Sequence, residues 1–420
     1  MKGKGSCVRN QRELAQAARL AADSFAERHM GVERSFAAHV GRLPGVGLEH
    51  VRVVRQRGKI VALVALYEKT VRIGRARLKM GGLGYVCAAP LVRGQGLATK
   101  CLGQAIRYME ANGFHLSMLF GIDRFYRRAG YVGCIPYYRL YLPVRELSGL
   151  RTALVARPYE ARDERAMREL HELSAQSCVC TAVRTAKTVR EELRRRSLFP
   201  RLPGREDGVF VFHPKRKKQD VRAYLLWRNG EIQEAGIRPG DEVAAKAVLA
   251  WGRDRKRDAL EKELQLRHGP DHPLTQYAMR YNHKLEREFS WTGNGMGRIL
   301  NVTAFLEALS PELEARLNRA GMDGQCHLHL TVHTDPDEAV KRPRQVTQHT
   351  LVLGAGHQFM LKNRPHYWLR IVCSAQTLLQ LVLGVLPQAT LQGMEVEGEG
   401  NLIPVLFPRM DPEMFALDHF

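Results

Sequence analysis

"LGYVCAAPLVRGQGLATKCLGQAIRYMEANGFHLSMLF" fills residues 83–120, and its reading decides the fold. Leu83 to Pro90 are apolar or small, the composition of a buried strand. Arg93-Gly94-Gln95-Gly96 breaks that run. Beyond it Leu97, Cys101, Leu102, Ala105, Ile106 and Met109 return at helical spacing, and Asn112-Gly113 supplies a stop. "FHLSMLF" (114–120) then alternates as a second strand. The order is strand, glycine turn, helix, strand.

A turn in that position has chemistry built into it. The first turn of a helix carries unpaired N–H groups and the positive end of the helix dipole, so it binds phosphate. Glycines let the backbone approach a ligand closely, and Arg93 adds a fixed charge; a diphosphate is the natural guest. A tight turn that needed glycine for its shape alone is the plain alternative. The full spacing Arg93-x-x-Gly96-x-Ala98 narrows the choice, because it resembles the acetyl-coenzyme A motif of the GNAT N-acetyltransferases. The dinucleotide fingerprint needs a third glycine and a later acidic residue. The resemblance implies that Arg93, Gly94, Gln95, Gly96, Leu97 and Ala98 hold the diphosphate, while the backbone of Val86, Cys87 and Ala88 pairs with the pantetheine arm. Cys87 itself reads as a strand filler, since direct transfer needs no thiol nucleophile and no His/Asp partner stands nearby.

The rest of the chain sets the frame. At 420 residues it suits two or three domains, and 45% hydrophobic with 26% charged residues is a globular composition. The N-terminus has no apolar core of a secretory signal. "IVALVALY" (60–67) and "LLQLVLGVL" (378–386) are too short to span a bilayer. Eight cysteines without regular spacing fit a reducing cytoplasm. The net charge of +22 asks for an acidic partner. Its clusters, however, read as a hairpin tip ("HPKRKKQD", 213–220), a loop ("KRPR", 341–344) and the solvated helix faces "REELRRRSLFPR" (190–201) and "RDRKRDALEKEL" (253–264). No basic cluster is interleaved with stacking aromatics, so no specific nucleic acid is expected.

Residues 150–290 repeat the layout, with helices over 163–176 and 185–196, a hairpin over 208–227, and "RPGDEVAAKAVLAW" (238–251) answering "RGQGLATKCLGQAI" (93–106). Asp241 and Glu242 stand where the first copy has Gln95 and Gly96. Carboxylates in a helix's first turn satisfy it and repel a diphosphate, so the second copy is expected to bind no coenzyme. "GNGMGRILNVTAFLEALSPEL" (293–313) opens a third region as strand and helix. "CHLHLTVH" (326–333) alternates, with Cys326, Leu328, Leu330 and Val332 on one face and His327, His329 and His333 on the other. That histidine row reads as the wet face of a strand rather than a metal triad, and "CVC" (178–180) is too close-set for zinc. No metal is expected.

"DRFYRRAGYVGC" (123–134) follows the second strand of the opening segment. In acetyltransferases of this fold that place holds the general acid for the departing thiolate, commonly a tyrosine. Tyr126, with an ordinary pKa of about 10, suits the role at neutral pH, and Tyr131 is its competitor. The last seven residues, "MFALDHF", keep Met414, Phe415, Leu417 and Phe420 apolar, as in an end packed into the protein.

Together these features resemble the Eis (enhanced intracellular survival) acetyltransferases: two GNAT-like domains and a third region, Phe125-Tyr126 with Gly130-Tyr131, "MGRILNVTAFLEAL" at 296–309, and a terminal Phe. The resemblance implies an α/β (α+β) chain of three domains. They are an N-terminal GNAT domain binding acetyl-CoA (1–145), a degenerate GNAT-like domain (146–292) and a sterol-carrier-protein-like domain (293–420). It also implies a homo-hexamer, Tyr126 as general acid, and the Phe420 carboxylate as the base that takes the proton of a primary ammonium. A carboxylate of ordinary pKa about 3.5 becomes a better base when desolvated. Asp418 is expected to help hold the acceptor, and Phe25 and Phe36 to line its pocket, in a stretch that also carries Arg28, His29 and Arg34. Some Eis members acetylate aminoglycosides in an acidic pocket. This basic chain leaves the acceptor open between such a polyamine and a protein lysine or N-terminus. A non-catalytic acyl-CoA-binding regulator is the reading from another class.

Overall fold

The computed structural model describes residues 7–25, 36, 40, 42–43, 45–197, 207–290, 292–322, 324–354, 366–387, 390–391 and 393–420. Five strands open the chain: β1 (Val51–Gln56), β2 (Lys59–Ile73), β3 (Ala76–Ala88), β4 (Leu116–Ile122) and β5 (Val132–Ile135). The middle carries β6 (Tyr137–Pro143), β7 (Leu154–Pro158), β8 (Thr181–Ala182), β9 (Gly208–Pro214), β10 (Ala223–Arg228), β11 (Glu231–Ile237), β12 (Glu263–Leu266) and β13 (Lys284–Glu288). Last come β14 (Thr292–Ile299), β15 (Gln325–Thr334), β16 (Gln345–Leu353), β17 (His366–Ser374) and β18 (Glu395–Gly398). The helices that matter for the site are α1 (Gln11–Phe25), α2 (Leu97–Ala111), α3 (Asp123–Arg127), α4 (Glu164–Ser174), α5 (Ala186–Ser197), α6 (Glu242–Asp258) and, after α7 (Pro273–Ala278), α8 (Val302–Arg319).

The first sheet runs β1-β2-β3-β4-β14-β5, with β8 added on β2. β2 is apolar without a break from Ile60 to Tyr67 because both of its faces are covered there. Ala62, Val64 and Leu66 meet Leu102, Ala105, Ile106 and Met109 of α2. Leu63, Ala65 and Tyr67 meet Leu14, Ala17 and Ala21 of α1. Burying a residue such as Ile106 stabilises by roughly 1.5–3 kcal/mol, and truncating it to alanine costs about 2–5. The stop at Asn112-Gly113 behaves as the sequence indicates: the Asn112 N–H bonds the Met109 carbonyl and Gly113 is left-handed.

The second sheet runs β13-β6-β12-β11-β10-β9-β7. Its helix α6 buries Ala244, Val248, Leu249 and Gly252 and is capped by Asp241, whose side chain accepts the Ala244 N–H. Two strands cross the boundaries expected at 145 and 292. β6, from the opening stretch, pairs with β12 and β13 of the second sheet, and β14 lies between β4 and β5 of the first. The physical reason is edge pairing. β4 has β3 on one side, and β14 covers its other edge over Leu116–Ile122.

The third sheet runs β16-β15-β17-β18 and shares one core with the first. α8 joins them, with Phe305, Leu306, Leu309 and Leu313 packed among Val71, Ile73, Leu78 and Met80 of the first sheet and Leu328, Leu330 and Leu369 of the third. On β15, Cys326, Leu328, Leu330 and Val332 are buried, whereas His327, His329 and His333 face the outer side. Among the described residues no three His, Cys, Asp or Glu side chains are placed to hold a metal ion, and no helix is long and apolar enough to cross a membrane.

Candidate active site

β3 and β4 are parallel neighbours only over Met80–Leu83 and Leu116–Leu119. Past that point each strand runs on without the other, to Ala88 beside β2 and to Ile122 beside β14, and the pair opens into a V. A bulge sets the opening. Ala65 pairs with Gly84 but Leu63 with Cys87, so Tyr85 and Val86 together face Val64, and Tyr85 takes a left-handed φ of 52°. Val86, Cys87 and Ala88 form the free lip of the V, with Val86 and Ala88 half-buried.

The glycine turn closes the wide end. Gly94 and Gly96 have φ of 80° and 71°, and the space where their side chains would stand is open. Gly96 heads α2 with no side-chain cap, so the first N–H groups of the helix, from Leu97 on, face outward unpaired. Arg93, Gly94, Gln95 and Gly96 are all exposed, and Leu97 and Ala98 are half-buried. The helix at Asp241 differs in the way the sequence foretells, since a carboxylate already occupies its first turn. Glu242 turns outward to Arg280, at 2.6 Å.

The chain end fills the narrow part of the V. The Phe420 ring lies over Gly82, where any Cβ would overlap it, and stacks on Tyr67 at 6.2 Å between centroids, with Phe120 at 5.8 Å. Its carboxyl carbon is 3.2 Å from the point where a Cβ of Gly84 would stand, one residue short of the bulge. These glycines have an early signal in "MGGLGY" (80–85), because glycine inside a strand pattern marks a close approach. Tyr67, Phe120 and His419, whose ring packs 4.2 Å from Phe120, carry no such signal.

Tyr126, on α3, packs its ring against Gly121 and belongs to the cluster that Phe420 touches. Burial raises its hydroxyl above the ordinary phenol value, with Tyr131 adding to the effect. Among the described residues its hydroxyl has no hydrogen-bond partner. Tyr131 is different: its hydroxyl donates to Ser117 Oγ at 2.8 Å, and Ser117 donates to the Gly81 carbonyl at 2.9 Å. Of the two tyrosines, Tyr126 has the hydroxyl left for a ligand.

Asp418 stands apart from the role expected of it. It is 1% exposed and held by Arg184, whose Nη2 donates to Oδ2 at 2.7 Å and whose Nε reaches both oxygens at 3.1 Å. With its charge already matched, it anchors the chain end to the second region and is not offered to an acceptor. Arg184 also donates to Glu234 Oε1 at 2.7 Å, and Glu234 accepts the Leu417 N–H at 2.8 Å. Phe36 is fully buried behind Tyr85, ring to ring at 4.8 Å, while half-buried Phe25 meets the same ring at 6.1 Å. Phe36 therefore backs the site without facing a ligand. Arg28, His29 and Arg34 lie outside the described residues. Burial pushes the Cys87 thiol up to about 11, which leaves it protonated at neutral pH and suits a strand filler.

Comparison with known proteins adds the following. Residues 9–133 match the model of the acetyltransferase (GNAT) domain. The sequence matches no curated protein. Among solved structures, the whole fold is similar to a probable N-acyltransferase of Enterococcus faecalis, with 15% identity, 97% of each chain covered and a TM-score of 0.66. It is similar to a GCN5-related N-acetyltransferase of Anabaena variabilis, with 16% identity, 98% of each chain and a TM-score of 0.66. It is also similar to Eis1 of Mycobacterium abscessus, with 13% identity, 99% of each chain and a TM-score of 0.60.

Proposed function

We propose, from the premise that residues 9–133 are a GNAT acetyltransferase domain within a chain of Eis-like fold, that this enzyme moves acetyl from acetyl-CoA directly to a primary amine. The chain end at the V is the observation that carries the reading: a carboxyl group seated against Gly84, between the coenzyme lip and the cluster of Tyr126. Bound acetyl-CoA would supply an activated thioester carbonyl. Its holders are the turn Arg93–Gly96, the first amides of α2 at Leu97 and Ala98, and the backbone of Val86 to Ala88. The uncapped helix and the open space over both glycines fit a diphosphate.

The chain's own residues then divide the proton work. The Phe420 carboxylate takes a proton from the incoming ammonium, so that its nitrogen lone pair can form the new C–N bond. Tyr126 Oη gives its proton to sulfur as the C–S bond breaks, and the second proton shed by the new amide nitrogen restores the phenol through solvent. Burial favours both roles, because it keeps the phenol protonated and makes a carboxylate more basic. The second and third sheets are read as a degenerate GNAT-like domain and a sterol-carrier-protein-like domain, the whole assembling as a hexamer. Asp241 in the first turn of α6 supports a second region without coenzyme. Eight buried cysteines, none in a disulfide, support a cytoplasmic setting.

The test is thiol release from acetyl-CoA over an aminoglycoside, a polyamine and a lysine peptide, with coenzyme binding followed separately. The native chain is compared with one lacking Phe420 and one extended beyond it. Turnover lost in both variants, with folding and coenzyme binding kept, is the expected outcome. Full turnover in the extended chain would dismiss the carboxylate as base.

A further inference from the structure

From Pro412 to Asp418 the chain end is held by the second region before it reaches the first. Pro412 bridges to Val179, and the Glu413 N–H donates to the Val179 carbonyl at 2.9 Å. The Glu413 carboxylate accepts the Gly269 N–H at 3.0 Å and pairs with His268. Leu417, 1% exposed, packs with Met167 and Leu170 of α4 and Val189 of α5. The last of these holds is Arg184 on Asp418, two residues short of the Phe420 carboxylate.

That carboxylate is a main-chain group, and its seat needs more than the ring. Stacking on Tyr67 fixes the Phe420 side chain but leaves the backbone free to turn about it, and chain ends fray unless tied. Two residues span at most about 7 Å, so a fixed Asp418 confines the carboxylate to the neighbourhood of Gly84. Arg184 makes Asp418 a fixed point. Its Nε and Nη2 grip the carboxylate, its Nη1 and Nη2 donate to Glu234 at 2.7 and 3.1 Å, and the Tyr224 hydroxyl donates to Glu234 at 2.8 Å. A planar fork engaged on both sides cannot rotate without breaking several of these bonds. The first region joins through Lys69, whose Nζ lies 3.9 Å from Asp418 Oδ1. Lys69 stands two residues beyond Tyr67 on β2, on the same face, so one strand carries both the ring's seat and part of the anchor. Buried ion clusters of this kind add little stability over apolar side chains of the same volume. Their distinctive effect is a fixed geometry.

We propose that Arg184 is a positioning residue for acetyl transfer. Through Asp418 and Glu234 it aims the Phe420 carboxylate at the acceptor amine, and the second region thereby serves the reaction as the holder of the chain end. The proposal rests on the reading of that carboxylate as the base. Arg184 touches neither substrate nor reacting atoms; it acts through the two residues that follow Asp418.

Asp418→Asn is the test variant, because Arg184 keeps Glu234 and Lys69 keeps Glu192, at 3.4 Å, so that no buried cation is stranded. Four quantities are compared with the native chain: kcat and KM, CoA affinity, melting temperature, and the rate at which carboxypeptidase A releases phenylalanine from the folded protein. The expected result is a kcat lower by roughly tenfold or more, the scale of one charge-assisted hydrogen bond, with CoA affinity kept and Phe420 released at least about tenfold faster. Arg184→Lys, which keeps the charge and loses the fork, is expected to repeat the pattern. Asp163→Asn breaks another buried pair of the second region, with Arg157, and should lower the melting temperature while kcat and the protection of Phe420 hold. Native kcat and a protected Phe420 in Asp418→Asn would overturn the proposal, and so would the same losses in Asp163→Asn, which would reduce the cluster to general support. Full turnover in a chain lacking Phe420 would remove the reading and the proposal together. Turnover lost without Phe420 but kept in Asp418→Asn would overturn the proposal alone.

Discussion

Tyr126 and Tyr131 lie on one short segment with rings 5.9 Å apart, yet they serve different ends. Tyr126→Phe removes a hydroxyl that no described group uses, so stability should hold while turnover drops by roughly 100-fold or more. Steady-state kinetics beside a melting curve checks both. Tyr131→Phe breaks the bond to Ser117 and should cost about 1 kcal/mol of stability with little change in turnover. Gly82 makes a third residue-scale prediction. Gly82→Ala puts a methyl group into the Phe420 ring, which should unseat the chain end and cut turnover without weakening CoA binding. Legibility at this scale was uneven for physical reasons. The turn at Arg93 to Gly96 and the helix start at Leu97 were readable because left-handed glycines and the return of apolar residues at helical spacing are local signals. The slot for Phe420 was only half readable, since "MGGLGY" marks a close approach without naming the intruder. Asp418 was misleading, because a carboxylate near a site looks the same in sequence whether its partner is a substrate or Arg184, a residue 234 positions away.

At the scale of elements, the segment 411–420 is a strap drawn across the second region to the first. Phe415 sits among His171, His268 and His272, with ring centroids 5.1, 4.9 and 5.4 Å away. His268 Nε2 accepts the Ala235 N–H at 2.7 Å, so its Nδ1 carries the proton shared with Glu413. Burial lowers His171 to about 4, with Arg184 adding to the effect, and it drives His272 well down too. Both histidines are neutral when folded, and an unfolded chain takes up their protons near pH 6.5. Stability should therefore be full above that pH and fall as it drops from about 6.5 towards 4, by roughly 3 kcal/mol for His171 alone. Thermal melts at pH 7.5 and 5 check the sign, and a melt that improves on acidification contradicts it. Arg184→Met leaves Glu234 as a buried charge without its cation and Asp418 with only Lys69, at 3.9 Å, and should cost about 3–5 kcal/mol. The helix α2 was legible along its whole length because periodicity and the Asn112-Gly113 stop are local signals. β14 was legible as a strand but not as the partner of β4. That pairing is set by which edge stands free in the folded sheet.

For the whole molecule, the exchange of β6 and β14 makes the three regions one cooperative structure. A fragment ending at residue 145 keeps β6 without its partners and leaves β4 and β5 without the strand that joins them. It should be aggregated or molten, with no coenzyme binding, by circular dichroism and calorimetry; a well-folded, CoA-binding fragment would refute this. Composition and repeated layout made a multi-region α/β chain legible, whereas the crossing of strands depends on contacts between residues nearly 180 apart and leaves no local pattern. The same crossing bears on how the chain is made. On the ribosome β4 emerges long before β14, and at about 5–20 residues per second its outer edge waits on the order of ten seconds or more for its partner. Throughout that interval a nascent catalytic half carries an open strand edge, the kind of surface chaperones bind and neighbouring chains pair with. Slowing synthesis across the second region would lengthen the exposure, so the yield of soluble enzyme should depend on translation speed between residues 146 and 291 more than anywhere else.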